Sequence, residues 1–329
     1  APSALYNRGR VLAAAEDVDQ ESLFTDHVRF IGDRIAAVVA ETPELAAEGV
    51  ALIKYELEPL PPLIAPEQAL NQTEIRLHQQ DNICTLTAGY GDYQQAPGKR
   101  ISCRSQMQRI SHLAMENHCA LADYQPGKKE LTIWAPCQSV YGVRSAVATL
   151  LSLPMSFVRV IKTAMGGSFG AKQEMILEPL AAYAAMVCGR PVLLDFTRRE
   201  TMICTILKHP MTVDMEGKFD EAARLTGLDV KVLLDSGAYQ SVSPAFTAAM
   251  YKKLGRVYDI ANIRYHADAV CTNTPVSGSY RGWSSPEMVL AMENFINFSA
   301  GQLGIDPLEL RLRNIHAPYG NTGTENCSL

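Results

Sequence analysis

The stretch AMGGSFGAKQEMILEP, residues 164–179, places three glycines and one phenylalanine between an apolar run and a helical pattern. Glycine lets a backbone approach a bound group closely, and amide hydrogens at a helix start point outward, so this order can hold an anion or an electron-rich group. The Walker A pattern is absent because Lys172 follows alanine and precedes Gln173, and the GxGxxG spacing is absent too. GGSFG alone is therefore equally consistent with a tight turn and with a binding loop.

A second stretch of mostly small residues, SGSYRGWSSP at 277–286, offers Arg281 and Trp283 after a strand-like run. A lone arginine or tryptophan in a loop usually lies on solvated surface or packs at an edge. Two such stretches, each with at least one aromatic ring, suit a planar ligand. Gln138 is a third candidate, because it stands between a strand-like run and a helical one, where its amide either caps the backbone or faces a ligand.

The composition limits the class of protein. With 329 residues, 47% of them hydrophobic, the chain can bury a substantial core and is expected to form two units. A formal net charge of −5 gives no basic field for nucleic acid or anionic lipid, which disfavours both as partners. No apolar run approaches the ~20 residues that span a bilayer, and the first residues lack the order of a signal peptide, so a cytoplasmic location is predicted.

Direct metal ligation by side chains is not predicted. The eight cysteines are dispersed, with no CxxC pair and no spacing typical of zinc or iron–sulfur ligation, and they are predicted to be reduced thiols. His112 and His118 lie six residues apart, which puts them on different faces of a helix but on one side of a strand.

Local patterns predict an α+β fold. RIAAVVA at 34–40 predicts a strand, and Thr42 predicts the cap of a helix that runs to about Ile53. Prolines and a polar stretch then end a small α+β unit, residues 1–70, and residues 71–100 are predicted to be a linker.

From residue 101 to residue 329 strands and helices follow one another again. Strands are predicted at 101–112, 130–136, 157–164, 190–196, 224–237 and 265–273. Helices are predicted at 139–151, 172–189 and 287–303, and in a short segment capped by Asp306.

Together these stretches resemble the molybdenum-binding subunit of the xanthine dehydrogenase and aldehyde oxidase family. The motifs MENHCALA, APCQSVYGVR, GGSFGAKQE, SYRGWSSPE and IDPLELRLRN stand in the family's order, and the resemblance runs from about residue 20 to about residue 315. VRFIGDRIAAVVAETPELAAEGVALIKYELEPLPP is similar to the family's small α/β hammerhead domain. The resemblance implies a partial hammerhead domain followed by the first part of the molybdopterin-binding domain.

At matching positions the resemblance implies a site for molybdenum-molybdopterin, in mononucleotide or dinucleotide form. Gln138 matches the glutamine near the oxo ligand of molybdenum, Phe169 the phenylalanine beside the metal, and Arg281 the arginine of the cofactor loop. Backbone that permits close approach of the cofactor is predicted at the small residues Gly167, Ser168, Gly170 and Gly282.

Three positions are candidates for substrate binding. Trp283 takes the place of an aromatic residue that stacks on the substrate in purine-oxidising members, which favours a heterocycle. Gln173 and Ala249 stand where animal purine oxidisers have glutamate and arginine. Loss of that arginine removes a contact worth ~1.5 to 3 kcal/mol, although Lys252 and Lys253 lie near enough in sequence to compensate. Substrate identity stays open between a purine such as xanthine or hypoxanthine, a nicotinate-like ring and an aldehyde.

The resemblance implies a molybdenum-dependent hydroxylase that inserts water-derived oxygen at an electron-poor carbon, with a glutamate as base. That glutamate belongs to a Gly-x-Gly-Glu stretch in the family's second half, so it is expected on the remainder of the molybdenum subunit or on a partner chain. Glu174 and Glu178 are expected to form ion pairs or face solvent. Iron–sulfur clusters and, in most members, flavin (FAD) are implied on other domains or subunits. The alternative to an enzyme is a cofactor-binding assembly module that is inert alone.

Overall fold

The computed structural model describes residues 5–11, 21–71, 74–79 and 81–316, which contain two mixed β-sheets with helices packed on them and a small sheet of two parallel strands. This arrangement confirms the predicted α+β class. The strands are β1 (Ile83–Tyr90), β2 (Lys99–Met107), β3 (Cys119–Gln125), β4 (Glu130–Ala135), β5 (Val158–Lys162), β6 (Val192–Asp195), β7 (Leu207–Lys208), β8 (Met211–Phe219), β9 (Leu225–Gly237), β10 (Ile263–Cys271) and β11 (Ser277–Gly278). The helices are α1 (Pro43–Ala51), α2 (Pro66–Asn71), α3 (Val140–Leu150), α4 (Glu178–Cys188), α5 (Arg198–Cys204), α6 (Ser243–Tyr251), α7 (Ser285–Leu303) and α8 (Pro307–Asn314).

The larger sheet has five strands in the order β1-β10-β9-β8-β2, with β10 and β9 parallel and the other neighbours antiparallel. Its edge strand β1 lies inside the segment predicted to be a linker, so the linker prediction is wrong for residues 83–90. ICTLTAGY has the β-branched and alternating character of a strand, but no residue of it is fully buried, because an edge strand packs on one side only.

Helices α6 and α7 pack on this sheet. Phe295 of α7 stacks on Phe219 of β8 with ring centroids 6.0 Å apart, and Tyr265 of β10 is completely buried. Burial of each such side chain contributes about 1.5 to 3 kcal/mol, so these aromatic residues hold the helices to the sheet. At α8, Asp306 accepts hydrogen bonds from the amides of Leu308 and Glu309, which confirms the predicted cap.

The smaller sheet has the order β5-β4-β3-β6, with β4 and β5 parallel, and it is covered by α3 and α4. The alanines of α4, which are fully buried at 181, 182 and 185, allow this helix to approach β3 closely. The helix predicted at 172–189 starts only at Glu178, because Pro179 suits a first turn, and residues 172–177 form turns instead.

The first α+β unit is largely exposed. Thr42 accepts a hydrogen bond from the amide of Leu45 at 3.3 Å, which confirms the predicted capped start of α1. Residues 34–40, predicted to be a strand, pair with no strand among the described residues, and that prediction is wrong. A strand needs a neighbour for its backbone groups, whatever its own sequence favours.

Besides β1, seven elements were not predicted, namely β3, β7, β8, β11, α2, α5 and α6. The other predicted elements are present with shifted ends, and the strand predicted at 101–112 ends at Met107. Among the described residues, no helix is both long and apolar enough to cross a membrane. The seven cysteines in this part of the chain are unpaired, and Cys327 lies outside the described residues.

Candidate functional site

The glycine loop follows β5 and precedes the turns that lead into α4. Gly167 and Gly170 have φ angles of 117° and 109°, which residues with a Cβ rarely adopt. A Cβ added at Gly170 would lie 2.6 Å from the carbonyl oxygen of Ser279. The glycine loop therefore touches the second loop, and the structure brings together the two stretches that the sequence singled out.

Phe169 lies between these glycines with a φ of 54°, and 48% of its surface is exposed. A left-handed conformation costs a residue with a side chain about 1 to 2 kcal/mol. Phe169 thus combines a strained backbone with a large apolar side chain that is half exposed, so packing within the described residues compensates little of the strain. Such a position is a candidate wall of a ligand site.

Gln138 joins the end of β4 to the glycine loop. Its amide N–H donates to the carbonyl of Lys172 at 2.9 Å, and its side-chain Oε1 accepts from the hydroxyl of Ser168 at 2.6 Å. Ser168 in turn accepts from the amide of Lys172 at 3.0 Å. Ser139 caps α3, so Gln138 does not. Gln138 is exposed, and its side-chain nitrogen Nε2 makes no hydrogen bond within the described part of the chain.

A segment just before β3 supports the glycine loop, and sequence reasoning missed this role. The carboxylate of Glu116 accepts from the amide of Gly166 at 3.0 Å and pairs with the ammonium group of Lys172, which is 4% exposed. His118 donates from Nε2 to the carbonyl of Ala171 at 3.0 Å. The quoted motif MENHCALA contains both Glu116 and His118, but its spacing alone does not show what they contact.

The second loop leads into α7. Arg281 and Gly282 are exposed, and the Arg281 guanidinium has no hydrogen bond or ion pair with any described residue. The ring of Tyr280 lies 4.8 Å from the ring of His112 and 5.7 Å from the ammonium nitrogen of Lys208. These contacts fix the residue before Arg281 while leaving the guanidinium itself available to an anion.

The three candidate substrate residues lie on three segments near these loops. Trp283 is half-buried and meets Phe246 of α6 edge to face, with ring centroids 5.4 Å apart. Ala249 lies one turn further along α6 and is partly exposed. Gln173 is half-buried, and its amide donates to the carbonyl of Gly170 at 3.1 Å. Lys253 lines a cavity beside Tyr258 and not the candidate site. Its position therefore does not support the idea that it replaces the missing arginine.

Glu174 and Glu178 are buried, which corrects the expectation of solvated surface or ion pairs. They are 2% and 8% exposed, and burial raises the pKa of each carboxyl. Glu178 accepts from the amides of Ile176 and Leu177 at 3.0 and 3.2 Å. Glu174 accepts from the amide of Ser279 at 2.8 Å.

The geometry fits an anionic, planar ligand with its own hydrogen-bonding groups. Glycines allow close approach, Phe169 offers an apolar face, Gln138 offers amide hydrogens, and Arg281 offers a charge. At the start of α7 the Ser284 hydroxyl and Oε2 of Glu287 are buried and have no partner among the described residues, so a ligand or ordered water has polar atoms to satisfy there.

Comparison with known proteins identifies relatives along most of the chain. The model of the molybdopterin cofactor-binding domain family matches residues 77–315. The chain is 35% identical over 305 residues to a probable xanthine dehydrogenase subunit of Bacillus subtilis (strain 168), with 92% of this chain and 41% of that protein covered. It is 32% identical over 303 residues to the nicotinate dehydrogenase large molybdopterin subunit of Eubacterium barkeri, with 91% and 71% covered. The chain thus spans about two fifths of the length of the Bacillus relative.

A solved structure shares the fold. The aldehyde oxidoreductase of Desulfovibrio gigas superposes with a TM-score of 0.88 at 24% identity, covering 98% of this chain and 37% of that one. This likeness establishes the fold alone, and it confirms the architecture predicted from the resemblance.

Proposed function

The chain belongs to the molybdopterin cofactor-binding domain family, and from this premise we propose that it is the cofactor-binding part of a molybdenum hydroxylase. Its substrate is an N-heterocycle, either a purine such as xanthine or hypoxanthine or a nicotinate-like ring, oxidised with water-derived oxygen. The observation that carries the proposal is the contact of Gly170 with Ser279, since it joins the loop of Phe169 to the loop of Arg281.

The side chains around that contact have the types that molybdenum-molybdopterin needs. The guanidinium of Arg281, which has no partner among the described residues, suits a phosphate, and Gly282 beside it adds no side chain. The side-chain amide nitrogen of Gln138 has no acceptor among the residues that the structure describes, and the side-chain oxygen of Gln138 is held by the Ser168 hydroxyl. When bound, the cofactor supplies the redox chemistry, while these residues bind and orient it and Phe169 limits the access of water.

A heterocyclic substrate is favoured by the aromatic ring of Trp283. Phe246 meets this ring edge to face, so the packing holds its orientation, and the part of the half-buried ring that stays exposed can stack on a planar ring. Gln173 lies at the end of the glycine loop, where its backbone amide donates to the carbonyl of Gly170, and its side-chain amide is a group that can donate to a ring nitrogen. Two relatives carry xanthine dehydrogenase and nicotinate dehydrogenase in their names, which agrees with a nitrogen heterocycle.

The catalytic base comes from outside this chain. Glu174 and Glu178 are buried and their oxygens bind backbone amides and a hydroxyl, so neither is placed to take a proton from a ligand in the loops. The chain covers 41% of one relative and 71% of another, a molybdopterin subunit described as large. We therefore assign the base to a further segment or partner chain, and iron–sulfur clusters and FAD to other domains or subunits.

Molybdenum analysis of the intact enzyme tests the proposal. We expect stoichiometric molybdenum when the protein is purified with its partners, and a loss in Arg281→Ala of about ten- to a hundredfold in cofactor affinity, because a charge-assisted contact disappears. Arg190→Ala is the matched control, since Arg190 is also exposed but follows α4. Wild-type enzyme without molybdenum, from a host that makes the cofactor, would refute the function.

Turnover of a substrate panel separates the remaining possibilities. Xanthine, hypoxanthine and nicotinate should be oxidised faster than aromatic aldehydes, with an artificial dye as electron acceptor. A preference for aldehydes would fit the small side chain of Ala249 and overturn the heterocycle assignment. Molybdenum binding without any turnover, even after addition of a chain carrying the missing glutamate, would point to an assembly module.

A further inference from the structure

Glu174 makes contacts that ordinary core packing does not need. Its side chain is 2% exposed, and its two oxygens are used by different parts of the chain. Oε1 accepts from the amide of Ser279 at 2.8 Å, and Oε2 accepts from the hydroxyl of Ser241 at 2.6 Å. Glu174 has no salt bridge with a described residue, so these hydrogen bonds account for its placement.

The carboxylate joins the three segments that carry the candidate site. Glu174 directly follows Gln173 at the end of the glycine loop. Ser279 precedes Tyr280 and Arg281 by one and two positions, and Ser241 lies two residues before α6, the helix with Phe246 and Ala249. One buried side chain therefore fixes the distance between the loops and the position of the helix start.

The neighbouring Gly278 shows that this approach is close. A Cβ added there would collide with Oε1 of Glu174 and would lie 2.8 Å from the side chain of Ile206. Gly278 has no unusual backbone angle, so glycine is needed here for space rather than for conformation. The sequence thus supplies both a long acidic side chain and the gap that admits it.

Glu178, four residues later, is a comparison within the same segment. It is also buried, but its hydrogen bonds go to the amides of Ile176 and Leu177 in its own turn. Glu178 therefore satisfies a helix start, whereas Glu174 binds residues far away in sequence. Both carboxylates are buried, but only that of Glu174 connects separate segments of the chain.

We propose that Glu174 is a positioning residue that clamps the Arg281 loop and the start of α6 to the glycine loop, and so presets the cofactor site before any ligand binds. This inference rests on the proposed function for its purpose, but the clamp itself is a property of the polypeptide. It acts through Ser279 and Ser241 and does not touch the ligand.

Hydrogen–deuterium exchange of the intact enzyme tests the clamp at the peptide containing Ser279. In Glu174→Ala the amide of Ser279 loses its acceptor, and exchange in residues 277–283 should rise about ten- to a hundredfold. In Glu174→Gln it should stay near the wild-type rate, because the amide oxygen accepts from Ser279 and the amide nitrogen donates to the Ser241 hydroxyl. Glu178→Ala, the matched control, should leave residues 277–283 unchanged.

The molybdenum content of the same samples should fall in Glu174→Ala and recover in Glu174→Gln. Unchanged exchange at 277–283 in Glu174→Ala, or the same increase in Glu178→Ala, would overturn the clamp, and so would Glu174→Gln behaving like Glu174→Ala. Wild-type enzyme lacking molybdenum would refute the proposed function instead, while the exchange pattern of the variants would still decide whether the clamp exists.

Discussion

At the scale of single residues, the buried ammonium group of Lys172 depends on Glu116. Lys172 is 4% exposed, and the same Glu116 oxygen that pairs with it also accepts from Gly166. A charge left without a partner in such a place is much more costly than a missing surface contact. The pair therefore contributes both to stability and to the shape of the glycine loop.

We expect Glu116→Ala to lower the free energy of unfolding by about 2 to 4 kcal/mol, because it strands the Lys172 charge and removes the acceptor of the Gly166 amide. Urea unfolding at neutral pH measures the change. The control is Asp214→Ala, which breaks the exposed pair with Arg104 and should have little effect. Equal losses in the two variants would contradict this assignment.

At this scale the sequence predicts the exposed residues of the candidate site but not the buried residues that support them. Phe169, Arg281 and Gln138 were singled out by their types and by the family resemblance, and the structure leaves all three exposed. Glu116 and Glu174 were not identified as supports, because their partners lie 50 and 105 positions away along the chain. No local spacing reports contacts of that length.

At the scale of elements, the contact between the two loops depends on Gly170. Alanine there would meet two penalties at once, a φ of 109° and a Cβ 2.6 Å from the Ser279 carbonyl oxygen. Gly189, which ends α4 with a φ of 62°, has open space around its missing Cβ. Alanine at Gly189 would therefore test backbone strain alone, whereas alanine at Gly170 would add a steric clash between the two loops.

Gly189→Ala should cost about 1 kcal/mol of stability and leave molybdenum content unchanged, because only the left-handed conformation is penalised. Gly170→Ala should cost more and reduce molybdenum content, since the loops must separate. Thermal unfolding and metal analysis of both variants measure these effects. Normal molybdenum content in Gly170→Ala would show that the loop contact is dispensable.

Helices and strands were predictable where neighbouring residues in the sequence determine where the element begins. Thr42 and Asp306 cap their helices as expected, since a cap is decided by neighbouring residues. Residues 34–40 have the composition of a strand but no neighbour to pair with among the described residues. In contrast, β1 lies in the segment predicted to be a linker and pairs with β10 along its whole length. Pairing is decided by distant residues, so it was the part that could not be predicted.

At the scale of the whole molecule, each of the two larger sheets has its own hydrophobic core, and the candidate site lies where loops associated with these sheets meet. The glycine loop follows β5 of the smaller sheet, while the Arg281 loop leads into α7, which covers the larger one. Three buried histidines lie in the described part of the chain. Burial lowers the pKa of His78 and His118 to about 4, and that of His209 to about 3.

These histidines should make the fold sensitive to mild acid. Their pKa values in the folded chain lie below the unfolded value of about 6.5, so the unfolded state takes up protons first as pH falls. Each histidine then removes about 1.4 kcal/mol of stability per pH unit between pH 6.5 and its folded pKa. Urea unfolding at pH 7.5, 6 and 5 should show this loss of unfolding free energy. In His118→Gln the slope should be smaller by the contribution of one histidine, about 1.4 kcal/mol per pH unit. A slope unaffected by that substitution would contradict the assignment.

The left-handed backbone at two aromatic positions limits how the candidate site can be reshaped. Phe169 and Trp283 have φ angles of 54° and 41°. Valine, isoleucine and threonine tolerate such angles poorly, because their branched Cβ crowds the backbone. An engineer who randomises both codons to change substrate preference should recover mainly glycine, asparagine and unbranched side chains, so the accessible repertoire is set by main-chain torsion as much as by the ligand.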